Sequence, residues 1–332
     1  SAGGGQLDPW ASRQALRFSF SLVVMICISM INIQFWYKLS YIAFWAGVFL
    51  LIYVEIMGHV GMGAQRWIDL GIMKLQPSEL MKIAIVMALA RFFHRTTLED
   101  MRQITFLIIP SLFVLIPFGL VIIQPDLGTS VMILIAGGSM FFLAGVPLWM
   151  FGVVLALGLS SLPVAWQFLH EYQKNRVLTF LNPESDPLGA GYHITQSKIA
   201  LGSGGIEGKG FLQGTQSHLN FLPEKQTDFI FTLWAEEWGL TGGLLLLTLF
   251  GLVFLYGIWI AFRCRYAYGR MLALGLTVNF SLYVFVNIAM VMGLIPVVGA
   301  PLPLVSYGGT AMLAAMAGFG LIMSCNIHRD VK

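Results

Sequence analysis

Apolar and polar residues fall in long blocks along this chain rather than alternating singly. Nine apolar blocks are of membrane length, at roughly 15–34, 41–58, 77–95, 104–123, 127–145, 148–168, 239–262, 270–294 and 306–327. A run of about 20 apolar residues spans hydrocarbon as a helix. The pattern therefore predicts an all-α polytopic membrane protein with about nine transmembrane helices in a single transmembrane domain, 1–332. The third block is the weakest, because it carries Glu79, Lys82 and Arg91. One long polar segment, 169–235, interrupts the series. No internal repeat is evident, which argues against an inverted-repeat transporter.

Composition agrees with the pattern. The chain is 57% hydrophobic and 11% charged, with a mean hydropathy of +0.79. Soluble domains carry about 25% charged residues. A net charge of +3 gives no footprint for nucleic acid. Cys27, Cys264 and Cys325 are far apart and no CxxC pair occurs, so they read as small apolar residues. Lys and Arg in the short connections set orientation. Lys38, Arg91, Arg95, Arg102, Arg263, Arg265, Arg270, Arg329 and Lys332 form the richer alternating set, which is placed in the cytoplasm with the C-terminus. The odd span count then leaves Ser1 outside, and one further span before it would restore parity.

Two outer turns, Gln76-Pro77-Ser78-Glu79 and Gln124-Pro125-Asp126-Leu127-Gly128-Thr129, each put a proline at a helix start, where its missing N–H costs nothing. Glu79 and Asp126 then enter the first helical turn, where the dipole favours negative charge. Cost supports the alternative reading, a functional site, because an ionisable group at bilayer depth costs about 2.5–3.5 kcal/mol. Lys82 lies three residues after Glu79, placed for an ion pair. In the connection 61–74, Arg66 either binds phosphate or faces lipid headgroups, and Trp67 suits an interface. Glu55 either faces a cavity or reaches the outer surface.

The segment 169–235 is far longer than ordinary connections of about 4–6 residues, and such segments are usually functional or disordered. It has turn signals at Asn182-Pro183-Glu184-Ser185-Asp186-Pro187 and a short amphipathic helix from Tyr192 to Leu201, ended by Gly202. The run from Gly202 to Gly210 lacks the spacing and the Ser or Thr of a phosphate-binding P-loop. Backbone exposed near a polar ligand stays open for it. At the end of the segment, Asp228 either caps the helix that follows or acts as an acid–base group at the lipid boundary. Arg176, Lys198, Lys209 and Lys225 are cations on the same face that suit a pyrophosphate. Glu236 and Glu237 are weaker rivals for the acid role. The last outer turn, Pro296 to Tyr307, is stiffened by three prolines and leads to Gly308 and Gly309, which permit close packing or ligand approach.

Several long stretches resemble one family. They are Ala64 through Gly71, Gln76 through Glu79, Gln124 through Ser130, Asn182 through Leu201, Phe221 through Phe231 and Pro301 through Gly309, in that order. The chain closely resembles the SEDS family (shape, elongation, division and sporulation) over nearly its whole length. Gly214-Thr215-Gln216-Ser217 and Gly299 through Pro303 look more like its rod-shape branch than its division branch. The resemblance implies ten helices, the first missing here, and a large extracytoplasmic loop between the seventh and eighth. It implies a peptidoglycan glycosyltransferase of the bacterial inner membrane that polymerises lipid II during elongation. The acid of its Thr-Asp-Phe-Ile-Phe motif, here Asp228, is then the catalytic base. It also implies a class B penicillin-binding protein as partner, with other elongation-complex proteins. Candidate substrate contacts are Arg66, Glu79, Lys82, Asp126, Arg176, Lys198, Lys225 and Ser306, and a divalent cation, Mg or Mn, is a candidate cofactor. Two rivals stay open: a lipid II flippase, and a non-catalytic scaffold for the penicillin-binding protein.

Overall fold

The computed structural model describes residues 10–61, 64–69, 71, 74–168, 171–182, 190–214 and 226–330. Lys225 lies outside them, as does most of the stretch Phe221–Phe231 that precedes Gln226. The described helices are α1 (Trp10–Met30), α2 (Ile33–Met57), α3 (Pro77–Phe93), α4 (Ile104–Ile123), α5 (Leu127–Ala144), α6 (Leu148–Phe168), α7 (Glu171–Leu181), α8 (Ala190–Ser203), α9 (Ile230–Arg263), α10 (Ala267–Val291) and α11 (Gly309–Ile327). Short strands β1 (His59–Gly61), β2 (Ala64–Asp69) and β3 (Lys74–Leu75) form an antiparallel sheet in that order. Among the described residues, seven helices are long and apolar enough to cross a membrane, and Leu148–Val164 is a shorter apolar stretch.

The nine long helices match the nine apolar blocks, with two shifted ends. Asn32 caps α2 by accepting the Gln34 N–H at 2.9 Å. The helix therefore begins at Ile33, and Lys38 sits in its first turns rather than in a connection. Hydropathy ended the first block late because Phe35, Trp36 and Tyr37 are apolar while the cap beside them is local chemistry. The second shift is in α9, which begins at Ile230 and is broken at Gly239 (φ 64°, ψ −161°). The polar pair Glu236–Glu237 hid its first two turns from the hydropathy reading.

The chain packs as two compact units. One holds residues 24–171, 256–279 and 316–332. Its core gathers Phe44, Leu51, Met81, Ile85, Leu89, Ile133, Met140, Tyr268 and Leu272. The least apolar of the nine long blocks, α3, supplies much of that core, and most of its residues are buried. Protein rather than lipid surrounds its charges, and each has a partner. Lys82 Nζ lies 2.8 Å from Glu79 Oε1. Arg91 donates to the Tyr37 and Lys38 carbonyls at 2.9 Å and stacks over the Tyr37 and Tyr41 rings. In contrast, α6 shows lipid-type exposure, with Val154, Leu155, Leu157 and Leu162 all uncovered.

The other unit holds residues 1–23, 172–255 and 280–315. The break in α9 is its organising feature. A continuous helix would bond Leu240 N–H to the Glu236 carbonyl and Thr241 N–H to the Glu237 carbonyl. At the break the glycine-rich run bonds all four groups instead. Lys209 and Gly210 N–H donate to the Glu236 and Glu237 carbonyls, each at 3.0 Å. Leu240 and Thr241 N–H donate to the Gly205 and Ile206 carbonyls at 2.9 and 3.2 Å. Each buried backbone group left unmade would cost about 1–3 kcal/mol, so the splint is necessary. Close backbone approach explains its composition: a Cβ on Gly208 (φ 82°) would overlap the Glu237 carbonyl oxygen. The run is a structural splint, which answers the open reading of its exposed backbone.

Candidate active site

Gln226 to Phe229 form the turn that leads into α9. Three successive carbonyls of this turn are gripped from one side. Tyr307 N–H donates to the Gln226 carbonyl at 2.8 Å. Ser306 Oγ donates to the Thr227 carbonyl at 2.6 Å. Asn287 Nδ2 donates to the Asp228 carbonyl at 2.9 Å. The same amide donates to the Ala300 carbonyl at 2.7 Å, and the Leu302 N–H donates to Ser306 Oγ at 2.7 Å. The proline-stiffened turn and the acid-bearing turn are thus one bonded structure. The start of α1 braces it further: Gln14 Nε2 donates to the Ser306 carbonyl at 3.0 Å, and Arg17 lies 4.3 Å over the Tyr307 ring.

The carboxylate of Asp228 is half-buried and abuts Gly299, where an added Cβ would sit 3.5 Å from Oδ2. Two of the expected cations reach the segment between Met292 and Ala300 from α7 and α8. Arg176 Nη1 donates to the Val297 carbonyl at 3.3 Å. The Lys198 side chain crosses Gly293, its Nζ 2.7 Å from where a Cβ would stand. α8, which carries Lys198, is fixed by Ser197 Oγ, bonded to Thr232 Oγ1 at 2.8 Å and donating to the Val291 carbonyl at 2.9 Å. Asp228, Arg176, Lys198 and Ser306 therefore belong to one unit.

Other expected site residues have different company. Ser306 is 4% exposed and its hydroxyl both donates and accepts within the brace, so it positions the turn instead of meeting a ligand. Lys209 Nζ is ion-paired with Glu236 Oε1 at 2.8 Å, and Glu236 is 1% exposed, which removes both from the list of available groups. Glu237 is buried as well. In the unit that holds residues 24–171, Arg66 donates to the Pro125 carbonyl at 2.6 Å and lies 3.5 Å from Asp126 Oδ2. Asp126 is the N-cap of α5, accepting from Thr129 N–H and Oγ1 at 3.2 and 2.8 Å. It precedes the helix instead of lying in its first turn, and Pro125 lies outside the helix, unlike Pro77 in α3. Glu55 is exposed. Among the described residues no three His, Cys, Asp or Glu side chains gather as ligands for Mg or Mn.

Comparison with known proteins identifies the family. The profile described as Cell cycle protein, which covers FtsW, RodA and SpoVE, matches residues 5–331. The chain belongs to this SEDS family. Peptidoglycan glycosyltransferase MrdB of Escherichia coli K12 is 46% identical over 328 residues, covering 98% of this chain and 88% of the relative. Peptidoglycan glycosyltransferase RodA of Treponema pallidum is 32% identical over 380 residues, covering 93% and 87%. Among solved structures, a chain from a peptidoglycan synthase complex, studied for the coordination of polymerization and crosslinking, superposes with a TM-score of 0.86. It is 29% identical and the match covers 100% of this chain and 94% of that one. The rod shape determining protein RodA of Thermus thermophilus gives a TM-score of 0.73 at 26% identity, covering 99% and 91%. This SEDS protein is therefore a multi-pass membrane protein with the all-α RodA fold.

The sequence reading missed two members of the site. Asn287 sits inside an apolar helix with no motif around it; its only signal is a polar amide in a membrane-length span. Gly299 was read as part of a shaped turn, and only the fold puts it against Asp228.

Proposed function

We propose that this SEDS protein is a peptidoglycan glycosyltransferase that polymerises lipid II into glycan strands, with Asp228 as general base. The observation that carries the base assignment is the grip on three consecutive carbonyls, 226 to 228, beside the segment that holds Arg176 and Lys198. A base has to be held to within fractions of an ångström of its proton, because a 1 Å displacement can cost about 100-fold.

The chemistry then runs as a single displacement. The 4-hydroxyl of N-acetylglucosamine on one lipid II attacks the anomeric carbon of N-acetylmuramic acid on the other chain. Asp228 takes the hydroxyl proton as the new glycosidic bond forms. The bond from the anomeric carbon to the pyrophosphate breaks, and polyprenyl pyrophosphate departs with the electron pair, inverting the configuration. Arg176 and Lys198 are assigned the positive charge that offsets the charge developing on that leaving group, because both reach the segment beside Asp228. Lys225 remains a further candidate. The segment that bears these groups is assigned to the extracytoplasmic side and the C-terminus to the cytoplasm, following the Lys and Arg distribution.

The relative's complex couples polymerization to crosslinking. By analogy this chain pairs with a transpeptidase, a class B penicillin-binding protein, within the elongation complex. The flippase reading loses its motive, because Glu79 and Lys82 neutralise each other inside the helix core. The test is polymerisation of lipid II by the purified protein with its partner. Wild type makes glycan strands and Asp228→Ala makes none while still assembling; polymer from a folded Asp228→Ala protein would remove the base assignment.

A further inference from the structure

Asn287 is 0% exposed, in the last part of α10, and both hydrogens of its amide are committed. Its two partners, the Asp228 and Ala300 carbonyls, are pure acceptors, so only the amide nitrogen can face them. Ala300 directly follows Gly299, the residue against the Asp228 carboxylate. One side chain thus joins the main chain of the acid to the main chain of the wall beside it. Tyr307 and Ser306 hold residues 226 and 227, whereas Asn287 bonds residue 228 itself and Ala300, the neighbour of Gly299.

We propose that Asn287 is a positioning residue for Asp228, bonding the acid and its glycine wall into one body so that the carboxylate stays at a fixed distance from the sugar hydroxyl. The proposal rests on the reading of Asp228 as the base. It assigns no contact between Asn287 and substrate. Two donated bonds to two buried carbonyls cannot be supplied by a carboxylate, which only accepts, and Asn287→Asp is nearly the same shape. Asn287→Ala removes both donated bonds and with them the link between the two segments.

The experiment uses the full chain with its penicillin-binding partner and lipid II, and reads kcat, KM and the pH profile of kcat. Asn279→Ala is the control. It removes a second buried amide from the same helix. For Asn287→Ala and Asn287→Asp, kcat is expected to fall about 10–100-fold, the scale of a misplaced catalytic group. KM for lipid II stays within about threefold, and the acid limb of the profile moves because it reports the repositioned acid. Asn279→Ala loses thermal stability but keeps kcat and the profile. Unchanged kcat and pH profile in the Asn287 variants overturn the proposal. So does failure of both variants to fold, which would make Asn287 a residue of the fold and not of the base. Asp228→Asn, assayed in parallel, separates the two ideas: if it remains active the base reading fails, and if it is inactive while the Asn287 variants are normal only the positioning fails.

Discussion

Asp228 and the acids of the other unit are held in opposite ways. Glu79 and Asp126 are held by their carboxylates: one against Lys82, the other against Thr129 and Arg66. Asp228 is held by its main chain, through carbonyls that Tyr307, Ser306 and Asn287 grip. A carboxylate that caps a helix or neutralises a lysine is already spent on the fold. A grip on the main chain instead fixes where the backbone of the acid stands, and three consecutive carbonyls held at 226 to 228 fix it closely.

The largest expected effect sets the two aspartates against each other with the same change. Asp228→Asn lowers lipid II polymerisation by about 10²–10⁴-fold, the range of a lost general base. Asp126→Asn keeps a capping oxygen and leaves the rate within a few-fold, as a glycan-strand assay on both proteins shows. Equal losses in the two variants would break the comparison. Next comes the buried pair. Lys82→Met or Glu79→Leu alone destabilises by about 3–5 kcal/mol, because the remaining charge loses its ion-pair partner in a buried site. The double variant recovers most of that loss in a thermal unfolding series. A double variant that is stable but inactive would instead return Glu79 and Lys82 to the list of substrate contacts. Gly208→Ala costs about 1–3 kcal/mol by pushing the splint off the Glu237 carbonyl at a positive φ, visible as a lower melting temperature. Asp126→Ala gives the smallest change, about 1 kcal/mol for a lost N-cap.

Much of the fold was legible in the chain because lipid makes length and hydropathy decisive; all nine long helices were anticipated. The ends were not, since Asn32 and the break at Gly239 act through single hydrogen bonds that a hydropathy window averages away. α3 was underestimated for a related reason: hydropathy assumes a lipid neighbour, and this helix has protein neighbours instead. At the site, the motif around Asp228 pointed to the acid, and Arg176 and Lys198 arrived beside the same segment. The bonding of Ser306 and Lys209 was not legible, because sequence shows that a polar group is present, not whether another part of the chain has already engaged it. Asn287 was invisible for the converse reason. Its partners are main-chain carbonyls from residues 59 and 13 positions away, and a carbonyl leaves no trace in a sequence.

The splint at Gly239 has a consequence for how this protein tolerates change. All four of its bonds run between peptide groups, so the joint is indifferent to most side chains around it. Substitutions at Ile206 or Leu240 leave the stitching untouched, whereas a single added methyl at Gly204 or Gly208 would pry it open. Mutational fragility here is concentrated in a few positions that have no side chain to lose.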